Sequence, residues 1–137
     1  MIITLTSIRP PHTNDIFDRT KIIEWRKKPL PLGIHHVYET KYNFGQGKVI
    51  GSMEIIGHYC FKSVYQIPEY LIREGGVSRD FLLDYVGDGP IVGNAIVNPQ
   101  KFDSPRAITE YFSATTNKRL FRPSQTYIKA IYEEQRL

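Results

Sequence analysis

At 137 residues, with 41% hydrophobic and 23% charged side chains, the chain has the composition of an ordinary globular protein and not of a disordered or fibrous one. It reads as one domain over 1–137, long enough to bury roughly two-thirds of the surface its unfolded form exposes. The single cysteine, Cys60, excludes an intramolecular disulfide and favours a reducing, cytoplasmic setting; MIITLTSIRP lacks the features of a signal peptide, and no apolar run approaches the roughly 18 residues of a membrane span.

In chain order, MIITLTSI carries Ile2, Leu5 and Ile8 among β-branched residues and is followed by RPP, which predicts a first strand ended by prolines. HTNDIFDRT predicts a short helix with Thr13 or Asn14 as its cap and Ile16 and Phe17 on the buried side. From Ile22 the pattern alternates, placing Ile23 and Trp25 on one face of a second strand and Ile22, Glu24 and Arg26 on the other, until Pro29 and Pro31 end it. GIHHVYET and KVIGSMEIIGHYCF are strands three and four, joined by the glycine-containing KYNFGQG. Residues 48–61 are long for one strand, so Gly51 or Gly57 is expected to mark a bulge or bend.

IPEYLIREGG and SRDFLLDYVGDG predict two short helices, the second capped by Ser78 and ended at Gly87. PIVGNAIV reads as a buried fifth strand and SPRAITEYF as a helical turn; QTYIKAI reads as a sixth strand, although Tyr127, Ile128, Ile131 and Tyr132 also fit helical spacing. Mostly strands, with short helices inserted after the first and fourth, predict an α+β fold built on a small mixed β-barrel of about five to six strands.

The formal net charge of +4 favours anionic partners without selecting one. Two clusters concentrate it, EWRKKP at 24–29 and NKRLFR at 117–122, and each sets cations beside an aromatic, Trp25 or Phe121, the combination that phosphate contact and base stacking require. NKRLFR reads more readily as a solvated loop than as a second nucleic-acid contact. In the first cluster Glu24 and Arg26 share a strand face two residues apart, close enough to hold one another, with Lys21 leading into the strand at its edge. The same charges suit the wet face of an amphipathic strand.

RTKIIEWR, after a strand ending SIRP and a short helix, resembles the signature of ASCH domains, members of the PUA-like superfamily, whose pattern is GxKxxExR. Lys21, Glu24 and Arg26 supply the K, E and R at that spacing, and Arg19 stands where the family usually has Gly. VYET, KVIGSMEI, NAIVNPQKFDSPRAITEYF and RPSQTYIKAI look like their family counterparts, so the resemblance covers nearly the whole chain. It implies a PUA-like mixed barrel with a cleft lined by Lys21, Glu24 and Arg26 that holds RNA or a nucleotide, with Lys21 at the lip and Lys27 and Lys28 adding phosphate contacts.

Some small members of that family are amidohydrolases acting on N4-acetylcytidine through a lysine and a threonine of the motif and a later glutamate; others are ribonucleases. Lys21 matches the lysine, Glu24 occupies the threonine position, and Glu74 in REGGVSRDF falls near the later glutamate, so Lys21, Glu24 and Glu74 are the catalytic candidates if the chain is an enzyme. His35 and His36 are adjacent, so on a strand at most one enters the cleft. GQGKVIG lacks the spacing of a phosphate loop and reads as a hairpin turn. His58 and Cys60 have no further ligands at metal spacing, and no metal or cofactor is expected.

Overall fold

A computed structural model of the chain describes the backbone of residues 2–122 and 127–133 and the side chains of residues 3–122. In order, the elements are β1 (Ile2–Ile8), α1 (His12–Phe17), β2 (Ile23–Arg26), β3 (Gly33–Glu39), β4 (Lys48–Phe61), α2 (Glu69–Glu74), α3 (Arg79–Val86), β5 (Ile91–Arg106), β6 (Tyr111–Ser113) and β7 (Tyr127–Glu133). The strands form one seven-stranded sheet in the order β2-β5-β4-β3-β1-β7-β6. Strand β1 runs parallel to β3, and every other pair is antiparallel. The architecture is thus mixed α+β, but the barrel of five to six strands is corrected to an open sheet of seven, because among the described residues no ladder joins β2 to β6. Among the same residues no helix is long and apolar enough to cross a membrane.

Strands β4 and β5 form the spine, paired from Phe61 opposite Ile91 to Val49 opposite Arg106. Register shifts fall at both expected glycines, between Val49 and Gly51 and between Ile55 and Gly57. At Gly51 close approach explains the residue: a Cβ there would stand 2.6 Å from the Phe17 ring, so glycine lets α1 lie on the sheet. β5 continues well past the expected PIVGNAIV. Its polar half, with Pro99 and Pro105, reads as a loop in sequence; it is strand because β4 pairs with it, and it tolerates prolines because β2 pairs only with Val92–Ala95 and leaves the outer edge beyond free. The expected helical turn shrinks to Ile108–Glu110 and leads into β6. The last segment is strand over Tyr127–Glu133, while Gln125 and Thr126 of QTYIKAI lie outside the described residues.

The core divides into three clusters. Ile23 and Trp25 pack with Leu71, Ile72 and Leu82 of α2 and α3; Ile16 packs with Val37, Met53 and Ile55; Ile3 and Leu5 pack with Tyr38 and Tyr111. Ser78 caps α3 as expected, accepting from the Phe81 N–H at 3.0 Å. Helix α1 has no such cap. Pro11 stands at its N-terminus, and Thr13, expected to cap it, is buried and donates instead to the Glu39 carboxylate.

The C-terminus of α1 positions the start of β2. Arg19 donates to the Ile16 carbonyl at 3.1 Å and Thr20 to the Asp15 carbonyl at 2.9 Å, the bonding of a Schellman cap, in which glycine usually takes the left-handed position. Here that position is Arg19, with φ 65°. The Lys21 N–H also reaches the Asp15 carbonyl, so the chain reverses tightly and enters β2 with Lys21 already placed. Left-handed backbone costs a residue with a Cβ roughly 1–2 kcal/mol, partly offset by the greater freedom of unfolded glycine. Arg19→Gly is therefore expected to raise stability by about 0.5–1 kcal/mol, read as a higher thermal midpoint; a lower midpoint contradicts the strain.

The sheet also buries histidines. His35 donates its Nε2–H to the Pro31 carbonyl (2.6 Å), which leaves Nδ1 to accept from the Thr6 hydroxyl (2.6 Å), and His36 bonds the Tyr111 hydroxyl at 2.7 Å. Burial, with the neighbouring Arg106 and His35 adding to it, pushes His36 down to about 4. A folded imidazole that titrates near 4 and an unfolded one near 6.5 stabilise the protein above pH 6.5 and lose that contribution as the pH falls toward 4, up to roughly 3 kcal/mol. Denaturant midpoints are expected to drop between pH 7 and 4.5, with a shallower drop in His36→Gln. An unchanged slope in that variant contradicts the assignment.

Candidate functional site

Period-two alternation sorts β2 as its sequence requires: Ile23 and Trp25 enter the apolar cluster against α2 and α3, while Glu24 and Arg26 lie on the other face. That face borders a cavity of about 300 Å³. Its walls come from several places in the chain: Ser7 at the end of β1 and Arg9 just after it, His12 at the start of α1, residues of the Lys21–Arg26 segment, Thr40 after β3, and Phe81 and Tyr85 on α3.

Lys21 is the residue most displaced from expectation. Read as the lip of a cleft and the edge of a strand, it is instead 2% exposed, because the Schellman turn aims it inward. Its ammonium donates to the Gly75 carbonyl and stands 3.6 Å from Glu24 Oε1. On the other side of the carboxylate, Arg26 Nη2 lies 3.2 Å from Glu24 Oε2 and donates to the Ser7 carbonyl at 2.8 Å. Glu24 thus sits between two cations.

Desolvation penalises the charges of Lys21 and Glu24. For Lys21 it is the largest influence and lowers the ammonium below its usual range, opposed by Glu24. For Glu24 burial works to raise the carboxyl, but Arg26 and Lys21 together outweigh it and hold it below the ordinary carboxylate range. The carboxylate is therefore ionised at neutral pH and remains an acceptor.

Gly75 ties the network to the core. Its carbonyl accepts from Lys21, and a Cβ on it would stand 1.9 Å from Trp25 Nε1, so the indole lies directly against the glycine backbone. Among the described residues the indole N–H finds no hydrogen-bond partner, a cost of that close packing. One residue position thereby sets both the Lys21 head group and the Trp25 ring.

The remaining candidates divide. Lys27 is exposed, with its ammonium 5.4 Å from the centroid of the Tyr85 ring, so it stands at the cavity's α3 side. Lys28 is exposed and does not line the cavity. Glu74 does not line it either; its contribution is a backbone carbonyl that accepts from Ile22 at 2.9 Å. Neither His35 nor His36 reaches the cavity, and the His58 ring bonds the Leu30 carbonyl at 2.7 Å. Among the described residues no group of three or more side chains is arranged to hold a metal.

His12 is the wall residue that the sequence did not single out. It packs edge-on against Phe81, ring centroids 5.7 Å apart, and burial first, then Lys21, lowers its pKa, so it is neutral at pH 7. Nothing in its spacing from Lys21 or Glu24 marks it; only the fold brings the start of α1 to β2. Phe81 and Tyr85, four apart on α3, carried a usable signal, an aromatic stripe on a short capped helix.

Burial gives Lys21 a structural role. Lys21→Ala, which deletes one cation of a buried group, is expected to cost about 3 kcal/mol in denaturant unfolding, whereas Lys28→Ala is expected to match wild type. Equal stability of the two variants contradicts the buried network.

No family model and no curated protein matches the chain. Among solved structures it is similar to ASCH from Zymomonas mobilis, with 20% sequence identity, a TM-score of 0.71, and coverage of 91% of this chain and 85% of that one. A Tyr-to-Phe and a Ser-to-Ala variant of that protein each match at 20% identity, a TM-score of 0.72 and 91% of this chain, covering 87% and 85% of theirs. The likeness is one of fold: the chain has the architecture of an ASCH domain protein along nine-tenths of its length.

Proposed function

We propose that the cavity binds a nucleobase, as a nucleotide or as one residue of single-stranded RNA. The observation that carries this reading is the buried row Lys21, Glu24 and Arg26 facing a cavity whose α3 wall is aromatic. A base edge offers amine donors beside carbonyl or ring-nitrogen acceptors, and an ionised Glu24 flanked by two cations presents the complementary pattern. Phe81 and Tyr85, 47% and 38% exposed, supply ring faces for stacking, worth about 1–3 kcal/mol per base. A volume of about 300 Å³ is at the small end of ligand sites and suits one base with its sugar. Lys27 and Lys28 then meet phosphate outside, and a lone exposed cysteine agrees with cytoplasmic work.

A second reading, hydrolysis of an N4-acylated cytidine, rests on the lowered ammonium of Lys21 beside the Glu24 carboxylate. It keeps Lys21 and Glu24 and loses Glu74, which stands away from the cavity. Product release from N4-acetylcytidine by wild type, absent in Glu24→Gln, supports it; no turnover leaves the binding reading alone.

The binding reading is tested by anisotropy of a labelled single-stranded RNA across a salt series. Affinity is expected to fall log-linearly, and Lys27→Ala to reduce the slope by about 0.7, the value of one phosphate contact on a single strand. Arg26→Lys is expected to weaken binding roughly tenfold, because an ammonium cannot hold the Ser7 carbonyl and Glu24 at once and still present a fork to the ligand. Affinity that ignores salt, or is equal for wild type and Arg26→Lys, contradicts the reading.

A further inference from the structure

The turn after β3 places aromatic side chains in water beside the cavity. Tyr42 is 59% exposed and Phe44 is 100% exposed. Phe44 has φ 66° and Asn43 φ 51°, a left-handed pair without glycine. A bulky residue gains nothing from that backbone region and here gains nothing from burial, so neither packing nor conformational preference accounts for a phenyl ring at this position. The turn is nevertheless rigidly tied. Gly45 donates to the Tyr42 carbonyl at 3.1 Å, Gly47 to the Glu39 carbonyl at 3.0 Å, and Gln46 to the Glu39 carboxylate at 2.9 Å. That carboxylate belongs to a residue only 6% exposed and also receives the Thr13 hydroxyl.

The turn is continuous with the cavity. Thr40, the residue before it, lines the wall, and so does Arg9, whose guanidinium carbon lies 4.7 Å from the centroid of the Tyr42 ring. Arg9, Lys41 and Lys48 are all exposed along this side and give it positive charge. We infer that Tyr42 and Phe44 form a second base-stacking subsite, occupied by the nucleotide next to the one in the cavity, with Arg9 bridging the two and the lysines following the phosphates. This rests on the reading of the cavity as a nucleobase site. A single-stranded chain suits the arrangement because its bases unstack and lie on exposed rings, whereas a base held only in the cavity has no use for them.

The test compares one nucleotide with several. Each of the four nucleoside monophosphates and the matching tetraribonucleotides would be titrated calorimetrically into the full chain, as wild type, Tyr42→Ala, Phe44→Ala and Phe44→Trp. Wild type is expected to bind a tetranucleotide at least tenfold more tightly than the monophosphate. Tyr42→Ala and Phe44→Ala are expected to leave monophosphate affinity unchanged and remove most of that advantage, at high salt as well as low, while Phe44→Trp keeps it. The thermal midpoint of Phe44→Ala should match wild type, given the exposure of the ring. Retention of the full advantage in both alanine variants overturns the second subsite and leaves the cavity reading standing. Failure of wild type to bind any monophosphate or tetranucleotide overturns both.

Discussion

The constraint on which the site depends is the burial of one ammonium group. Lys21 lies almost wholly out of water, and an isolated cation there would be costly. Two features of the fold answer that cost. Glu24 stands 3.6 Å from the ammonium, and the buried end of α2 supplies the Gly75 carbonyl. Arg26, 3.2 Å from the far carboxylate oxygen, helps to keep Glu24 ionised. Removing Glu24 leaves two cations facing one another, so the three side chains are best understood as a unit, and its net value to stability is smaller than its hydrogen bonds imply.

In the binding reading proposed above, such a unit is also prepared for a ligand. Hydrogen-bonding groups held in place by the fold need little reordering when a polar edge arrives, and the low exposure of Lys21 and Glu24 strengthens each contact with it. The surrounding elements serve this arrangement. The Schellman turn ending α1 aims Lys21, the Gly75 backbone seats Trp25 against the same wall, and α3 brings Phe81 and Tyr85 across from the charges. The Zymomonas mobilis ASCH structures share the fold at 20% identity, so the architecture persists where most side chains differ.

Local patterns in the sequence carried the parts of this structure that local physics decides. Alternation in IIEWR sorted Ile23 and Trp25 from Glu24 and Arg26, Ser78 announced the cap of α3, and two glycines of the long fourth strand marked two of its three register shifts against β5. What was not legible depended on distant neighbours. The depth of Lys21 follows from a turn whose left-handed residue is Arg19, a position where a glycine would have signalled the cap. Thr13 left its capping role because Glu39, far along the chain, lies within reach. The second half of β5 is strand because β4 pairs with it, against its own prolines and polar residues. His12 joined the cavity for the same reason, through contacts that no short-range spacing encodes.

The central claim, that the Lys21–Glu24–Arg26 wall is where a nucleobase binds, is tested most directly by the indole N–H of Trp25. It is the chain's single tryptophan and lines the cavity, so its proton resonance is unique and local. Titration of isotopically labelled protein with nucleoside monophosphates, followed by proton–nitrogen correlation spectra, is expected to move the Trp25 indole signal and the backbone amides of Lys21 to Arg26 together, along one saturable curve. Saturable shifts confined to other surfaces, with the indole and those amides unmoved, would contradict the account.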